Sequence, residues 1–411
     1  MEWTACVGID WADQKHDFAV RGADGGEDRG IFASRPEEVH AWVGRLRERY
    51  PVGTILVAME QSRGALLYAL AQYDFLALVP LNPRAVSAYR ASLHLSGAKD
   101  DPVDAQMIRD FAAAHLDQLR VWRADDPATR KLRLLVEQRR ELVDQRVSHS
   151  QTLTAVLKQY FPQALTWFGQ NSRLLRAFLG QWPTLECARH ARADRIEKIV
   201  RSCSRPSADK LAQLVASIRA AVALAKDEAI ASALALRVQS LVAVLEVIDE
   251  QVSRHDCAIA ELWATHDERA LFDSFPGAGP VLAPRLAAAF GSDRSRFADA
   301  VEIQNYSGTS PVTVRSGKRH TVHARWQRPK FLHQTFHEFA EASIPQCTWA
   351  RAYYRRQREF GASHRVAVRA LAFRWIRVLY ACWASKTPYD DLVYQRALKR
   401  RGSPLCSRLA A

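Results

Sequence analysis

Four carboxylates stand where acids are useful for phosphoryl chemistry. Asp10 closes the apolar run Cys6 to Ile9, and Glu60 closes the apolar run TILVAM from Thr54 to Met59. Asp101 and Asp104 are three apart, which puts both on one face of a helix. Any one of these acids alone is an ordinary strand-end or helix-capping residue, so the combination carries the signal. Gathered at one point, the four would hold two Mg2+ ions, oxygen-preferring cations that polarise a phosphodiester and activate the attacking group. A second candidate is Ser316, in the Gly-containing stretch from Arg315 to Lys318 and flanked by Arg315, Lys318 and Arg319. Those cations would neutralise a phosphate under attack. A serine hydroxyl is a poor nucleophile at neutral pH, so it needs a base or a metal, and the carboxylate cluster would supply that. Read from the residues alone, a Ser-Gly pair is equally an ordinary turn.

The elements around the acids are legible. The runs Cys6 to Ile9 and Phe18 to Val20, the latter before the turn Gly22 to Gly26, predict a β-hairpin. A third strand near Ile31 to Ala33 follows, then a helix from Pro36 to Tyr50 and the strand Thr54 to Met59. A helix over Leu66 to Tyr73, a strand over Phe75 to Val79 and a helix opened by Asn82 and Pro83 complete the set. Three strands and then alternating helices and strands is the order of an RNase H-like fold. In that fold the ends of the first and fourth strands are adjacent, and a later helix brings its acids to the same place.

The remainder of the 411-residue chain is long enough for one or two more domains. Asp126 and Pro127 make a cap and first position for a helix to Tyr160. Its Arg130, Lys131, Arg133, Arg139, Arg140 and Arg146 suit either a phosphate backbone or a solvated face. Ser207 to Phe275 lacks Gly and Pro, which favours long uninterrupted helices. Within it Leu234, Val238, Leu241, Leu245, Ile248, Val252, His255, Ile259 and Leu262 alternate spacings of four and three, the seam of a coiled coil. That seam predicts self-association, with packing against the Pro127 helix as the other outcome. FPGAGP at Phe275 to Pro280 has the form of a loop that offers backbone N–H groups to phosphate at a helix start. Between Arg315 and Lys330 lie six Lys or Arg and no acid, with Trp326 among them, a mixture suited to phosphates and a stacked base.

Charge divides the chain. Through Ala114 there are 12 Lys and Arg against 16 Asp and Glu, whereas the whole chain is +14. An acidic module joined to a strongly basic one suits a carboxylate site acting on a polyanion that the basic part holds. The seven cysteines include no C-x-x-C pair, which fits reduced thiols better than a disulfide frame or a zinc site. No run of eighteen apolar residues and no signal-peptide order at Met1 to Asp10 appear, so the expected location is the cytoplasm.

VGID at Val7 to Asp10, ME at Met59 and Glu60, and KDDPVDA at Lys99 to Ala105 resemble the acidic motifs of the DEDD transposases of the insertion-sequence one-ten type. FPGAGP, YSGTSP at Tyr306 to Pro311, SGK at Ser316 to Lys318 and RAYYRRQREFG at Arg351 to Gly361 resemble that family's C-terminal domain, in the family's order. The family has Thr where Asp100 stands, which leaves either Asp100 or Asp101 as third acid, and Thr-Gly where Gln61, Ser62 and Arg63 follow Glu60. The resemblance implies a transposase or recombinase that moves its element with Mg2+ and a structured guide RNA paired to donor and target DNA. It also implies strand cleavage through a covalent phosphoserine at Ser316, Ser307 and Ser310 being the lesser candidates, in a homo-oligomer whose acidic domain faces another protomer's serine domain.

The expected architecture is an α/β RNase H-like N-terminal domain over 1–125, a long helical coiled-coil middle over 126–270, and a mainly α, basic C-terminal transposase domain over 271–411. Two other functions compete with this one. A Holliday-junction resolvase would use the same four acids with water as nucleophile, but needs neither Ser316 nor a second basic domain. A non-enzymatic nucleic-acid scaffold would need no acids at both strand ends. Zinc binding by His333 and His337, with His320 and His323 nearby, lacks the accompanying Glu or cysteines.

Overall fold

A computed structural model describes residues 3–60, 64–93, 101–170, 172–224, 227–317 and 319–405, with the backbone alone at Leu93, Asp101, Pro102 and Arg319. The chain divides into two compact units, Met1–Asp125 and Asp126–Ala411.

The first unit opens with β1 (Trp3–Trp11), β2 (Lys15–Gly22) and β3 (Glu27–Ala33), followed by α1 (Pro36–Arg49) and β4 (Thr54–Met59). It continues through α2 (Ala65–Leu70), β5 (Leu76–Pro80), α3 (Pro83–Leu93) and α4 (Asp101–Ala114). The five strands form one sheet in the order β3-β2-β1-β4-β5. β1 pairs antiparallel with β2 and parallel with β4, so β1 and β4 point their C-terminal ends the same way. Side chains alternate between faces along β1. Val7 and Ile9, with Val57 and Met59 of β4, pack under Trp42 and Leu46 of α1 and Leu67 of α2. Leu56 and Ala58 turn to the opposite face, with Ile108 and Ala112 of α4. Burial on both faces is why TILVAM is apolar without alternation.

The second unit is built on an antiparallel pair of long helices, α5 (Pro127–Tyr160) and α11 (Glu228–Ala264). Between them run α6 (Gln163–Phe168), α7 (Arg173–Gln181), α8 (Leu185–His190), α9 (Ala193–Cys203) and α10 (Ala208–Ala220). After them come α12 (Arg269–Asp273), α13 (Gly279–Phe290), α14 (Ala300–Tyr306), β6 (Val312–Ser316) and β7 (Arg319–His323). The last helices are α15 (Lys330–Gln346), α16 (Thr348–Glu359), α17 (His364–Ser385) and α18 (Asp391–Arg400). Asp126 caps α5 by accepting from the Thr129 amide at 2.9 Å. The long pair carries a core at each end. One joins Leu153 and Leu157 of α5 to Phe178 of α7 and Leu245 of α11, and the other joins Leu132 and Val136 to Ile259, Phe290, Phe336 and Trp375.

Three sequence expectations change on this scaffold. Val238, Leu245, Ile248, Val252 and Ile259 are buried within the chain itself, so packing against the Pro127 helix is the outcome the seam takes. The interval from Ser207 to Phe275 is divided among α10, α11 and the short α12, and Asp227 starts α11 by accepting from the amides of Ala229 (2.9 Å) and Ile230 (3.2 Å). A capping side chain thus starts a helix inside a stretch that holds neither Gly nor Pro. Most of the α5 cations are paired: Arg139 with Asp256, Arg146 with Asp249 at 3.4 Å, Arg133 with Glu137 at 3.2 Å, and Arg140 with Asp144 and Glu338. Arg130 and Lys131 are the exposed ones of the six.

Candidate active site

Asp10 and Glu60 are brought together by strand register. Gly8 pairs with Ala58 and Ile9 with Met59 across the parallel β1–β4 ladder, so Asp10 and Glu60 are the next residues in step. Both lie on the face that α4 covers, since side chains two apart share a face with Gly8 and Ala58. Each is half-buried.

The direction of α4 places its first turn at the same end. The Cys6 thiol lies 3.7 Å from the Arg109 carbonyl, while the position of a Cβ on Gly8 is 2.2 Å from the Ala105 carbonyl oxygen. Two residues along β1, a rise of about 6.6 Å, thus match four residues back along α4, a rise of about 6 Å. A further two residues from Gly8 reach Asp10, and a further four from Ala105 reach Asp101. Such close approach of backbone to backbone admits only glycine at position 8.

Asp104 is buried, at 5% exposure. Its carboxylate forms an ion pair with Arg90 of α3. Asp101 opens α4, and its side chain, like Asp100 altogether, lies outside the described residues. Among the described residues no three His, Cys, Asp or Glu side chains converge closely enough to share an ion.

Sequence reasoning named neither of two further charged groups at this end of the sheet. Asp17 lies directly opposite Asp10 in the β1–β2 ladder, is 4% exposed, and is paired with Lys15 at 3.5 Å. Directly opposed strand residues have Cβ atoms about 5 Å apart. The signal was the alternation of β2 read together with its hairpin register. Arg90 carried no local signal, because its meaning comes from the packing of α3 on α4.

Ser316 is the last residue of β6 and faces Arg319 across the β6–β7 ladder. Two residues close this hairpin, and the first, Gly317, has φ +54°, the left-handed conformation such tight turns require. Ser316 and Arg315 are exposed, and Lys318 lies outside the described residues. The other two serines named from the sequence are committed to packing. Ser307 is fully buried and donates to the Gln304 carbonyl at 3.3 Å, and the Ser310 hydroxyl donates to Asn305 at 2.6 Å. Trp326 is 85% exposed. The FPGAGP segment seats Phe275 in the core and leads into α13 at Gly279. His333 and His337 lie with their rings 4.2 Å apart on α15, and His333 Nδ1 meets the Ser307 carbonyl at 3.2 Å.

Comparison with known proteins bears on both halves of this arrangement. A DEDD family described as "Transposase" matches residues 7–162, and "Transposase IS116/IS110/IS902 family" matches residues 269–355. The chain is 27% identical over 406 residues to the mini-circle putative transposase for IS117 of Streptomyces coelicolor, covering 94% of this chain and 96% of that one. It is 29% identical over 360 residues to an uncharacterized 43.6 kDa protein of insertion element IS110 from the same organism, covering 82% and 84%. An uncharacterized 44.8 kDa protein of insertion element IS116 from Streptomyces clavuligerus is 28% identical over 291 residues, covering 70% and 72%. The chain belongs to the IS110-type transposase family. The first family match begins at Val7, three residues before Asp10, and spans Glu60, Asp101 and Asp104. The second contains Ser316 and the whole β6–β7 hairpin. A transposase of an insertion sequence cuts and rejoins DNA, so both matched regions belong to a DNA-processing enzyme.

Proposed function

We propose that this transposase cuts and rejoins DNA through a phosphoserine on Ser316, with Mg2+ held by Asp10, Glu60, Asp101 and Asp104 of an RNase H-like domain. The observation that carries the reading is the step-for-step register of Asp10 and Glu60 beneath the first turn of α4. An all-carboxylate donor set fits a hard, oxygen-preferring cation, and Asp10 opposite Asp17 concentrates negative charge that a cation offsets. When bound, the metal supplies Lewis-acid stabilisation of the phosphoryl oxygens.

The protein's own groups do the rest. Ser316, at the tip of an exposed hairpin, reaches a backbone phosphate without helical shielding. Its oxygen forms the bond to phosphorus as the strand's bridging P–O bond breaks. The hydroxyl proton leaves to a base and the departing strand oxygen takes one up. Rejoining reverses the exchange with a new strand hydroxyl. Arg315 beside it offsets charge on the phosphate. A structured guide RNA reads donor and target sequence, leaving the protein to hold backbone and shape. The working form is a homo-oligomer acting in the cytoplasm, in which the acidic domain of one protomer serves the hairpin of another. Ile230, Leu236, Val244 and Val247 on the uncovered face of α11 are available for that assembly.

The test is to trap the reaction on labelled DNA and map any covalent adduct by mass spectrometry. Ser316→Ala is expected to lose the adduct and keep nucleic-acid binding, while Glu60→Gln is expected to lose recombination and keep the fold. An adduct that survives Ser316→Ala, or full activity of Glu60→Gln, overturns the assignment.

A further inference from the structure

A second feature lies far along the sequence from the acids and from Ser316. A cavity of about 860 Å³ opens beside α17 and α18. Its aromatic wall is Tyr353, Tyr389 and Tyr394, and each ring is held by a neighbouring side chain. Tyr394 packs on the buried Trp349 with centroids 4.6 Å apart, and Tyr389 packs on Phe275 at 5.3 Å. Arg374 lies over the Tyr353 ring at 5.1 Å and donates to the Tyr394 hydroxyl at 2.9 Å. The wall is therefore preformed.

Charge around the opening has one dominant sign. Arg374, Arg377 and Arg401 line the cavity against a single acid, Asp390. An adjoining hollow, sharing Val393, is lined by Arg396, Lys399 and Arg400 of α18. Arg377, Arg396, Lys399, Arg400 and Arg401 are all exposed. Apolar, aromatic depth beneath a cationic rim is complementary to one kind of ligand: a base to stack, joined to phosphates that stay at the mouth. A protein segment of apolar character would match the depth but leave the cations without counter-charge.

We propose that this cavity takes up unpaired nucleotides of a single strand, the bases stacking against Tyr353, Tyr389 and Tyr394 and the phosphates meeting Arg377, Arg401 and the α18 cations. The inference rests on the reading of the chain as a nucleic-acid enzyme but not on which residues carry its chemistry. A duplex cannot enter with its bases paired, so the site distinguishes single strands from double ones.

The experiment compares the affinity of the full chain for a short labelled DNA single strand, an RNA single strand of the same sequence, and the DNA duplex. Ala381→Trp fills the cavity from the exposed side of α17 and changes no charge. It is expected to weaken single-strand binding about tenfold, the worth of one stacked base, and to leave duplex binding unchanged. Arg377→Gln is expected to lower the slope of log K against log salt by about 0.7 for single strands. The DNA and RNA arms show which strand the cavity prefers. Cys382, which lines the cavity, gives a readout on the unaltered protein: a bound single strand is expected to shield it from alkylation while the exposed Cys187 reacts as before. Equal affinity of Ala381→Trp and wild type, or an unshielded Cys382, overturns the proposal. So does shielding that rises with protein concentration in the absence of any oligonucleotide, which would assign the cavity to a second copy of the chain. Formation of the Ser316 adduct is scored separately, so failure of the cavity and failure of the catalytic reading are told apart.

Discussion

Substituting Gly8 by alanine tests whether the seating of α4 on β1 governs the carboxylate site. The added Cβ would stand 2.2 Å from the Ala105 carbonyl oxygen and 2.4 Å from the Arg109 amide nitrogen, both backbone atoms of α4. Ordinary contact begins at 3.4 Å, so the helix has to move by roughly 1 Å, and no side-chain rotation relieves the clash. Overpacking of this kind costs about 1–3 kcal/mol. For a unit of this size that is a fall in Tm of roughly 3–15 °C. The same movement carries the first turn of α4 away from Asp10 and Glu60, and a 1 Å misplacement of catalytic groups costs on the order of 100-fold in rate. Gly44→Ala is the control, because Gly44 is exposed in the interior of α1 with open space where its Cβ would be. There alanine is expected to stabilise by about 0.5–1 kcal/mol and leave recombination unchanged. The assay is thermal unfolding beside recombination on a donor and target pair, at a temperature where both variants are folded. Gly8→Ala with wild-type Tm refutes the close approach. A lowered Tm with wild-type rate refutes the claim that α4 positions the site.

Two further outcomes follow from the second unit. Glu338 accepts from Arg140 at 2.8 Å and from Arg285, whose guanidinium is almost fully buried, so Glu338→Ala leaves a buried cation without its partner. We expect a loss of about 3 kcal/mol in denaturant unfolding, with a smaller loss for the double variant carrying Arg285→Met; equal losses would refute the pairing. Burial pushes His337 down to about 4, with His333, Arg328 and Arg369 acting in the same direction. Its ordinary value in the unfolded chain is near 6.5, so the unfolded state binds the proton first as pH falls. Stability is therefore full above pH 6.5 and declines from there toward pH 4, by up to about 1.4 kcal/mol per pH unit. His337→Gln is expected to flatten that decline in urea titrations, and an unchanged slope would refute the assignment.

Individual elements of both units were legible where both sides of the inference were local. TILVAM gave a strand of the bounds observed, Thr54–Met59, and Asp126 with Pro127 gave the start of α5. The adjacency of Asp10 and Glu60 was legible only through topology, since nothing in either segment names its neighbour. Asp17 escaped notice because a hairpin's register depends on its connecting residues, and a shift by one would have put it on the other face. Arg90 and its pairing with Asp104 depend on the packing of α3 on α4, for which a single sequence carries no periodic signal. The heptad seam was correct as a pattern of burial, yet the same pattern serves a partner helix in the same chain or in another. What decides between them is the antiparallel match of charges, Arg139 to Asp256 and Arg146 to Asp249, visible only once α5 and α11 are side by side.

That charge matching also limits which cations are open to a polyanion. A run of arginines attracts DNA only in proportion to the charge left after internal pairing, because a cation already bonded to a carboxylate releases few counterions on meeting a phosphate. On α5, Arg133, Arg139, Arg140 and Arg146 are committed to carboxylates, so this helix acts mainly as a brace between two cores. Exposed cations cluster later in the chain, at Arg315 on β6 and at Arg396, Lys399 and Arg400 along α18. Eleven residues after Arg315, past β7, stands Trp326, 85% exposed. An indole so placed is costly to leave in water and useful against a base or a sugar face. The basic excess of the second unit thus resolves into a structural part, spent inside the helix pair, and a smaller available part concentrated around the serine hairpin and the last helices.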